Sequence, residues 1–244
     1  MPSSGAPLGA AAPRLTLTRP HRERAISDRR PEGSSLLCPR WAGGVSTGIE
    51  GLARDGATGE DTRVEMPPQR LASTADAEEI QALMQASIRA HFPRFYDPRH
   101  TESAARYIGE LDMTLIEDGT YYVHEAGGEL VACGGWSRRN RLYTGSGAAA
   151  DDGRLLDPAT EPARVRAMFV RGDWTRRGLG RALLDSCERA ARAEGFRELV
   201  LMATLPGEPL YRAYGFREVA RTMVRLPDGV ELEGVAMERP CAPS

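Results

Sequence analysis

Apolar and polar positions fall into two unequal regimes along the chain. Residues 1 to about 65 carry no periodic apolar face and are rich in Gly, Ala, Pro, Ser and Arg. Such a composition buries too little surface to offset chain entropy, so 1–65 is expected to be a disordered, low-complexity segment. From about Arg70 the pattern becomes that of a folded domain, expected to occupy 66–240. Ser73-Thr74-Ala75-Asp76 supplies helix N-cap chemistry, and Glu78 and Glu79 suit the positive end of a helix dipole. Ile80, Leu83, Met84, Ser87 and Ile88 follow at helical spacing. A second helix is predicted from about Glu102 to Leu111. Tyr121 to His124 and Glu129 to Trp136 read as two strands joined by a Gly127-Gly128 hairpin turn.

The pattern then lapses over 138–162, where Gly145, Gly147, Gly153 and Pro158 punctuate a long loop. Ala163 to Arg171 alternates, with Val165, Ala167 and Phe169 opposite Arg164, Arg166 and Met168, as in a half-buried strand. Gly178 to Gly195 is predicted as a helix with its apolar stripe on Leu179, Ala182, Leu183, Ser186, Cys187, Ala190 and Ala193, closed by a C′ glycine. Glu198 to Thr204 is almost wholly apolar, which places it centrally in a sheet. A short helix over Leu210–Tyr214 and a hairpin from Phe216–Val224 to Val230–Met237 complete the domain. The predicted order is β, α, α, β, β, β, α, β, α, β, β, an α/β (α+β) domain.

Composition narrows the chemistry. With a formal net charge of -2 the chain offers no basic field for nucleic acid. Lysine is absent, so all 32 cationic side chains are arginine, and no lysine can form a Schiff base or serve a P-loop. Cys38, Cys133, Cys187 and Cys241 lack metal-site spacing, so no metal is expected. Cys133 and Cys187 lie in apolar surroundings, as buried reduced thiols do. No apolar run is long enough for a membrane-spanning helix, and no signal-peptide core opens the chain. A cytoplasmic protein is expected, without nucleic-acid or membrane partners. Folded-domain patterning starts just after Met66, which makes Met66 a candidate natural start.

One segment has a clear chemical use. A strand, then Arg171 to Thr175, then Arg176-Arg177-Gly178-Leu179-Gly180-Arg181, leads directly into a helix. The first helical turn has N–H groups without intrahelical partners, and the helix dipole makes that end positive. Glycines let a phosphate approach the backbone, and arginines add cationic reach. A dinucleotide-binding turn wants a third small residue where Leu183 stands. Alone, the segment supports either an anion cradle or a tight strand-to-helix turn.

Two blocks together carry a resemblance. Ala167-Met168-Phe169-Val170 with Arg176 to Leu184, followed by Leu210-Tyr211-Arg212-Ala213-Tyr214-Gly215-Phe216, resembles the GCN5-related N-acetyltransferase (GNAT) superfamily over about residues 70 to 239. The resemblance implies a mixed sheet splayed open at its middle and flanked by helices, with acetyl-CoA as cosubstrate and no metal. It implies that the backbone of Met168, Phe169 and Val170 pairs with pantetheine, and that the pyrophosphate sits on Arg176, Arg177, Gly178, Leu179, Gly180 and Arg181. Thr175 stands where the family usually has Gln or Arg, and Thr204 where it often has Asn; both keep a hydroxyl for the cofactor. Tyr211 matches the tyrosine that protonates the leaving CoA thiolate. A phenol suits that task because it holds its proton at neutral pH.

The implied activity is transfer of an acetyl group to a primary amine of a small molecule or protein. A homodimer is compatible with the family. The general base is not legible, because the strand before the cradle carries Arg164 and Arg166 where many relatives place Glu. Tyr122, His124, Asp157, Glu161 and Glu208 are the candidates, and His124 reads first as a strand-surface residue. The acceptor pocket is expected between the first two helices, the 138–162 loop and the last hairpin, with the aromatic stretch from His91 to Tyr96 as lining or packing. Trp136 and Trp174 read as packing residues. The competing reading is a non-catalytic acyl-CoA-binding module on the same fold.

Overall fold

A computed structural model describes residues 66–141 and 153–241. The expected disorder of 1–65, the state of Cys38 and the middle of the 138–162 loop fall outside the described residues. Seven strands form one sheet in the order β1-β2-β3-β4-β5-β7-β6. They are β1 (Gln69–Leu71), β2 (Tyr121–Ala126), β3 (Glu129–Ser137), β4 (Ala163–Val170), β5 (Glu198–Thr204), β6 (Arg217–Arg225) and β7 (Glu231–Pro240). The helices are α1 (Ala77–His91), α2 (Pro98–Tyr107), α3 (Met113–Glu117), α4 (Leu179–Ala193) and α5 (Glu208–Tyr214). On β3, Cys133 packs with Ile80, Leu83 and Met84 of α1, whereas its neighbour Ala132 packs with Leu179 and Leu183 of α4. Adjacent strand residues point to opposite faces, so α1 and α4 cover opposite sides of the sheet.

Local chemistry explains where helices begin. A short 3-10 turn over Thr74–Asp76 carries a capping box between Ser73 and Asp76 before α1 starts. Helix α2 starts at Pro98, ahead of the predicted Glu102, because Asp97 accepts from the His100 N–H and proline fits the first turn. Helix α3 was not predicted; five residues are too few to show a period, yet Asp112 caps it through the Thr114 N–H. The predicted stripe of α4 drifts at its end. Leu184 and Ala191 are buried, but Ala193 is exposed.

The middle of the sheet is open. Strands β4 and β5 run parallel and pair only at Ala163–Leu199 and Arg164–Val200. Beyond that point β5 stays paired to β7 as far as Thr204–Gly234, while β4 stays paired to β3. This is the splayed mixed sheet that the resemblance implies. Strand β7 inserts between β5 and β6, so the last hairpin joins the sheet by its second strand.

Strand β4 also departs from simple alternation. Its register with β3 slips between Cys133 and Gly135, and Ala167 adopts a left-handed φ of 50°. This is a β-bulge. In consequence Val165 packs with Leu184 and Cys187 on the α4 side, whereas Ala167 and Phe169 pack on the α1 side. The predicted single face of Val165, Ala167 and Phe169 is therefore corrected. The Tyr121 hydroxyl donates to the Ala167 carbonyl at 2.7 Å and pins the bulge. Opposite it, a Cβ on Gly134 would lie 2.3 Å from the Met168 sulfur.

His124 is buried at 1% exposure, not on the strand surface. Pro67 lies against it, with the Pro67 carbonyl 2.8 Å from Nδ1. Burial lowers its pKa, and the Pro67 bond only partly opposes this. A depressed folded-state pKa gives stability that is present above the unfolded value of about 6.5 and lost as pH falls through the folded value. Thermal midpoints should therefore fall between pH 7.5 and pH 5.5, and less so in His124→Asn. Parallel pH profiles for the two proteins would show that His124 is not responsible.

Candidate active site

The predicted cradle is a sharply bent loop running into α4. A single 3-10 turn over Gly172–Trp174 follows β4, and the Thr175 hydroxyl donates to the Gly172 carbonyl at 3.0 Å. Thr175 thus closes the turn. Arg176 and Gly178 both take left-handed φ values, 64° and 87°. At Gly178 a side chain would be strained, which explains glycine at this N-cap. Leu179 is buried and anchors the helix start. Gly180 has a second reason to be glycine: a Cβ there would lie 2.8 Å from Leu210 of α5.

The charges around this helix start are unbalanced. Arg171, just before the loop, is matched by Asp173 at 2.8 Å and Glu129 at 2.6 Å. Arg176, Arg177 and Arg181 have no carboxylate partner among the described residues. Arg177 stacks on Trp174 with its guanidinium carbon 4.4 Å from the ring centre. Arg181 lies over Tyr214 at 5.4 Å. Trp174, predicted only to pack, therefore orients a cradle arginine. Three cations without carboxylate partners beside first-turn N–H groups are chemistry that suits a multiply charged anion.

The cleft between β4 and β5 opens next to the cradle. Met168, Phe169 and Val170 lie on β4 beyond the last β5 pair. Met168 packs toward α4 and Phe169 toward α1, so the strand backbone separates two apolar walls. The Val170 carbonyl accepts from the Ser87 hydroxyl at 2.9 Å. Across the opening, Thr204 ends β5, and its carbonyl accepts from the Gly207 N–H at 3.0 Å in the turn to α5.

Helix α5 carries two tyrosines with different surroundings. The Tyr214 hydroxyl is used: it lies 2.8 Å from both the Asp185 and the Glu188 carboxylates, which share its one proton. The Tyr211 hydroxyl has no hydrogen-bond partner among the described residues. Its ring sits edge-on to Phe216 at 5.8 Å, and burial pushes its pKa well above the ordinary tyrosine value. Tyr211 therefore keeps its proton at neutral pH and has a donor to spare.

The base candidates are dispersed. His124 faces Pro67 under β1, and half-buried Tyr122 packs with the α4-side clusters. Glu161 pairs with Arg154 and accepts from the Asp157 N–H, while Asp157 caps its own turn. Glu208 stands near Tyr211 but is held by Arg212 and Arg221 at 2.7 and 2.8 Å. Trp136 packs edge-on against Phe196, as predicted. Phe92 is buried, Phe95 is exposed, and Tyr96 crosses to the ends of β5 and β7.

The family model described as the acetyltransferase (GNAT) family matches residues 81–216, from α1 through the cradle and Tyr211. The chain belongs to the GNAT acetyltransferase family. A comparison with curated proteins finds no match. Among solved structures, a GCN5-related N-acetyltransferase from Rhodopseudomonas palustris superposes with a TM-score of 0.53 at 18% identity, covering 72% of this chain and 96% of that one. The PaiA N-acetyltransferase of Thermoplasma acidophilum, in complex with coenzyme A, superposes with a TM-score of 0.50 at 14% identity, covering 71% and 98%. At these identities the likeness is one of GNAT fold. The matched region ends at Phe216, so the β6–β7 hairpin completes the GNAT sheet from outside it.

Proposed function

We propose that this GNAT domain transfers an acetyl group from acetyl-CoA to a primary amine of a small molecule or a protein. The observation that carries the proposal is the Tyr211 hydroxyl, protonated and without a protein partner, on the helix that follows the open end of β5. The cradle supports the cosubstrate. Its glycine turn and the unmatched Arg176, Arg177 and Arg181 suit a pyrophosphate, with N–H groups of the first α4 turn as donors. Leu179 anchors that turn from below. The β4 edge at Met168, Phe169 and Val170 suits a pantetheine arm pairing as an added strand, because β5 has already diverged. Thr204, at the end of β5, faces the same opening.

In the reaction the amine nitrogen attacks the thioester carbonyl carbon, a C–N bond forms and the C–S bond breaks. Tyr211 gives its proton to the leaving thiolate. The amine loses its proton to water or to a base outside the candidates above. The buried, reduced Cys133 and Cys187 fit a reducing compartment, which agrees with a cytoplasmic site of action.

A thiol-release assay over a panel of small amines and peptide N-termini tests the activity, with calorimetry for CoA binding. Release with at least one amine is expected. CoA binding without release on any amine would favour the non-catalytic acyl-CoA module, which the arginines of β4 keep in play. The cradle has its own test. Removing Arg176 and Arg177 together, as alanines, should weaken CoA binding by about tenfold to a hundredfold and flatten its dependence on salt. Unchanged affinity would move the phosphates elsewhere.

A further inference from the structure

The divergence of β4 and β5 creates a structural problem as well as a cleft. Past Val200 one edge of β5 has no ladder partner, yet the turn after it must hold α5 in place. One side chain instead bridges the two strands where the β5–β7 ladder ends after Thr204–Gly234. The Tyr96 hydroxyl accepts from the Leu205 N–H at 3.0 Å and donates to the Glu233 carbonyl of β7 at 2.8 Å. A phenol can do both at once, because it has one proton to give and lone pairs to receive.

The foot of this strut is built as carefully as its head. The Tyr96 ring lies 5.1 Å from Phe92 and 6.5 Å from His100. Phe92 is buried, and Asp97 holds His100 at 2.6 Å. The ring also packs in a cluster with Val224 and Leu232, together with Phe169 of β4 and Met202 of β5. Tyr96 therefore ties the connection between α1 and α2 to this cluster. Phe169 and Met202, one from each diverging strand, pack against the same cluster.

From Leu205 the contact chain runs directly to Tyr211. Leu205 begins the turn in which the Gly207 N–H donates to the Thr204 carbonyl, and the Leu210 and Tyr211 N–H groups donate back to the Gly207 carbonyl. A Cβ on Gly207 would lie only 3.1 Å from the Tyr211 ring. The position of this turn thus sets the position of the Tyr211 ring.

We propose that Tyr96 is a positioning residue that ties the α1–α2 connection to the β5–α5 turn and so fixes where Tyr211 presents its hydroxyl. The proposal rests on the assignment of Tyr211 made above. It gives the aromatic stretch before α2 a role in the reaction that lining a pocket does not require. It also couples the acceptor side to the leaving-group side, since any acceptor that moves the α1–α2 connection moves the strut.

Tyr96→Phe keeps the ring and removes both hydrogen bonds. In the full chain, amide hydrogen exchange at Leu205 and through 206–211 should rise by about tenfold or more, with α4 and β3 unchanged. With an amine that wild type acetylates, kcat should fall about tenfold while KM for acetyl-CoA stays within about twofold. Ser103→Ala, which removes the bond from Ser103 to Asp228 in the β6–β7 turn, serves as the control for simple destabilisation and should leave kcat unchanged. Unaltered exchange at 205–211 in Tyr96→Phe would overturn the strut. Faster exchange with unaltered kcat would overturn its link to Tyr211. Should wild type release no thiol with any amine, the acetyltransferase reading fails on its own, and the exchange experiment still decides the strut.

Discussion

Replacing Tyr211 with phenylalanine will lower turnover by roughly a hundredfold to ten-thousandfold while leaving CoA affinity nearly unchanged. The argument is local. The ring is buried against Phe216 and the Gly207 turn, so phenylalanine preserves the packing. The hydroxyl makes no bond within the protein, so its removal leaves no partner unsatisfied. What is lost is a donor held protonated by burial beside the open end of β5. The matching change at Tyr214 should behave differently. Tyr214→Phe removes the hydroxyl that Asp185 and Glu188 share, and should act first on stability. Steady-state kinetics with calorimetric CoA binding and thermal melts separates these effects. Equal turnover for wild type and Tyr211→Phe would remove Tyr211 from the mechanism.

Asp112→Ala should destabilise the domain strongly, by about 3 kcal/mol, because it takes away a buried carboxylate that meets the buried Arg166. Arg166 lies on β4 with its side chain at 2% exposure, and it meets the Asp112 carboxylate at 2.8 Å. Arg141 approaches the same carboxylate at 3.3 Å, and the Thr114 hydroxyl donates to it at 2.7 Å. Burial alone would raise the Asp112 pKa; the Thr114 and Arg166 contacts outweigh it and hold the value down to about 2. The sign follows from that depression. The stabilisation is fully present above the unfolded value near 3.9 and is lost as pH falls through about 2. Denaturant melts at neutral pH should show the large loss in Asp112→Ala. The paired change Asp112→Leu with Arg166→Met should recover most of it, since an apolar pair can replace a buried ion pair. A loss below about 1 kcal/mol in the single variant would show that Arg166 does not depend on this carboxylate.

This ion pair also bears on the site. Strand β4, which leads into the cradle, carries Arg164 and Arg166. The structure turns Arg166 away into a pair with Asp112 from the segment before α3. No pattern could have shown this, because the two residues are 54 positions apart and α3 is too short to announce itself.

Much of the fold was legible from the chain. Helical spacing located α1 and α4, glycine pairs and caps located the β2–β3 hairpin, the start of α1 and the end of α4, and the apolar run of β5 marked an inner strand. These features depend on residues a few positions apart, where backbone geometry translates spacing directly into a face. The turn into α4 was legible for the same reason, because Arg176 to Arg181 are contiguous and end at a helix start. The tertiary structure alone decided the rest. It set the bulge that swings Phe169 to the α1 side, buried His124 under Pro67, slipped β7 between β5 and β6, and carried Tyr96 across to Leu205. Each depends on contacts between segments far apart in sequence, whose partners are chosen by packing and by the need to satisfy buried polar groups. The resemblance pointed to Tyr211; only the folded chain brings the Tyr96 hydroxyl to Leu205 and Glu233.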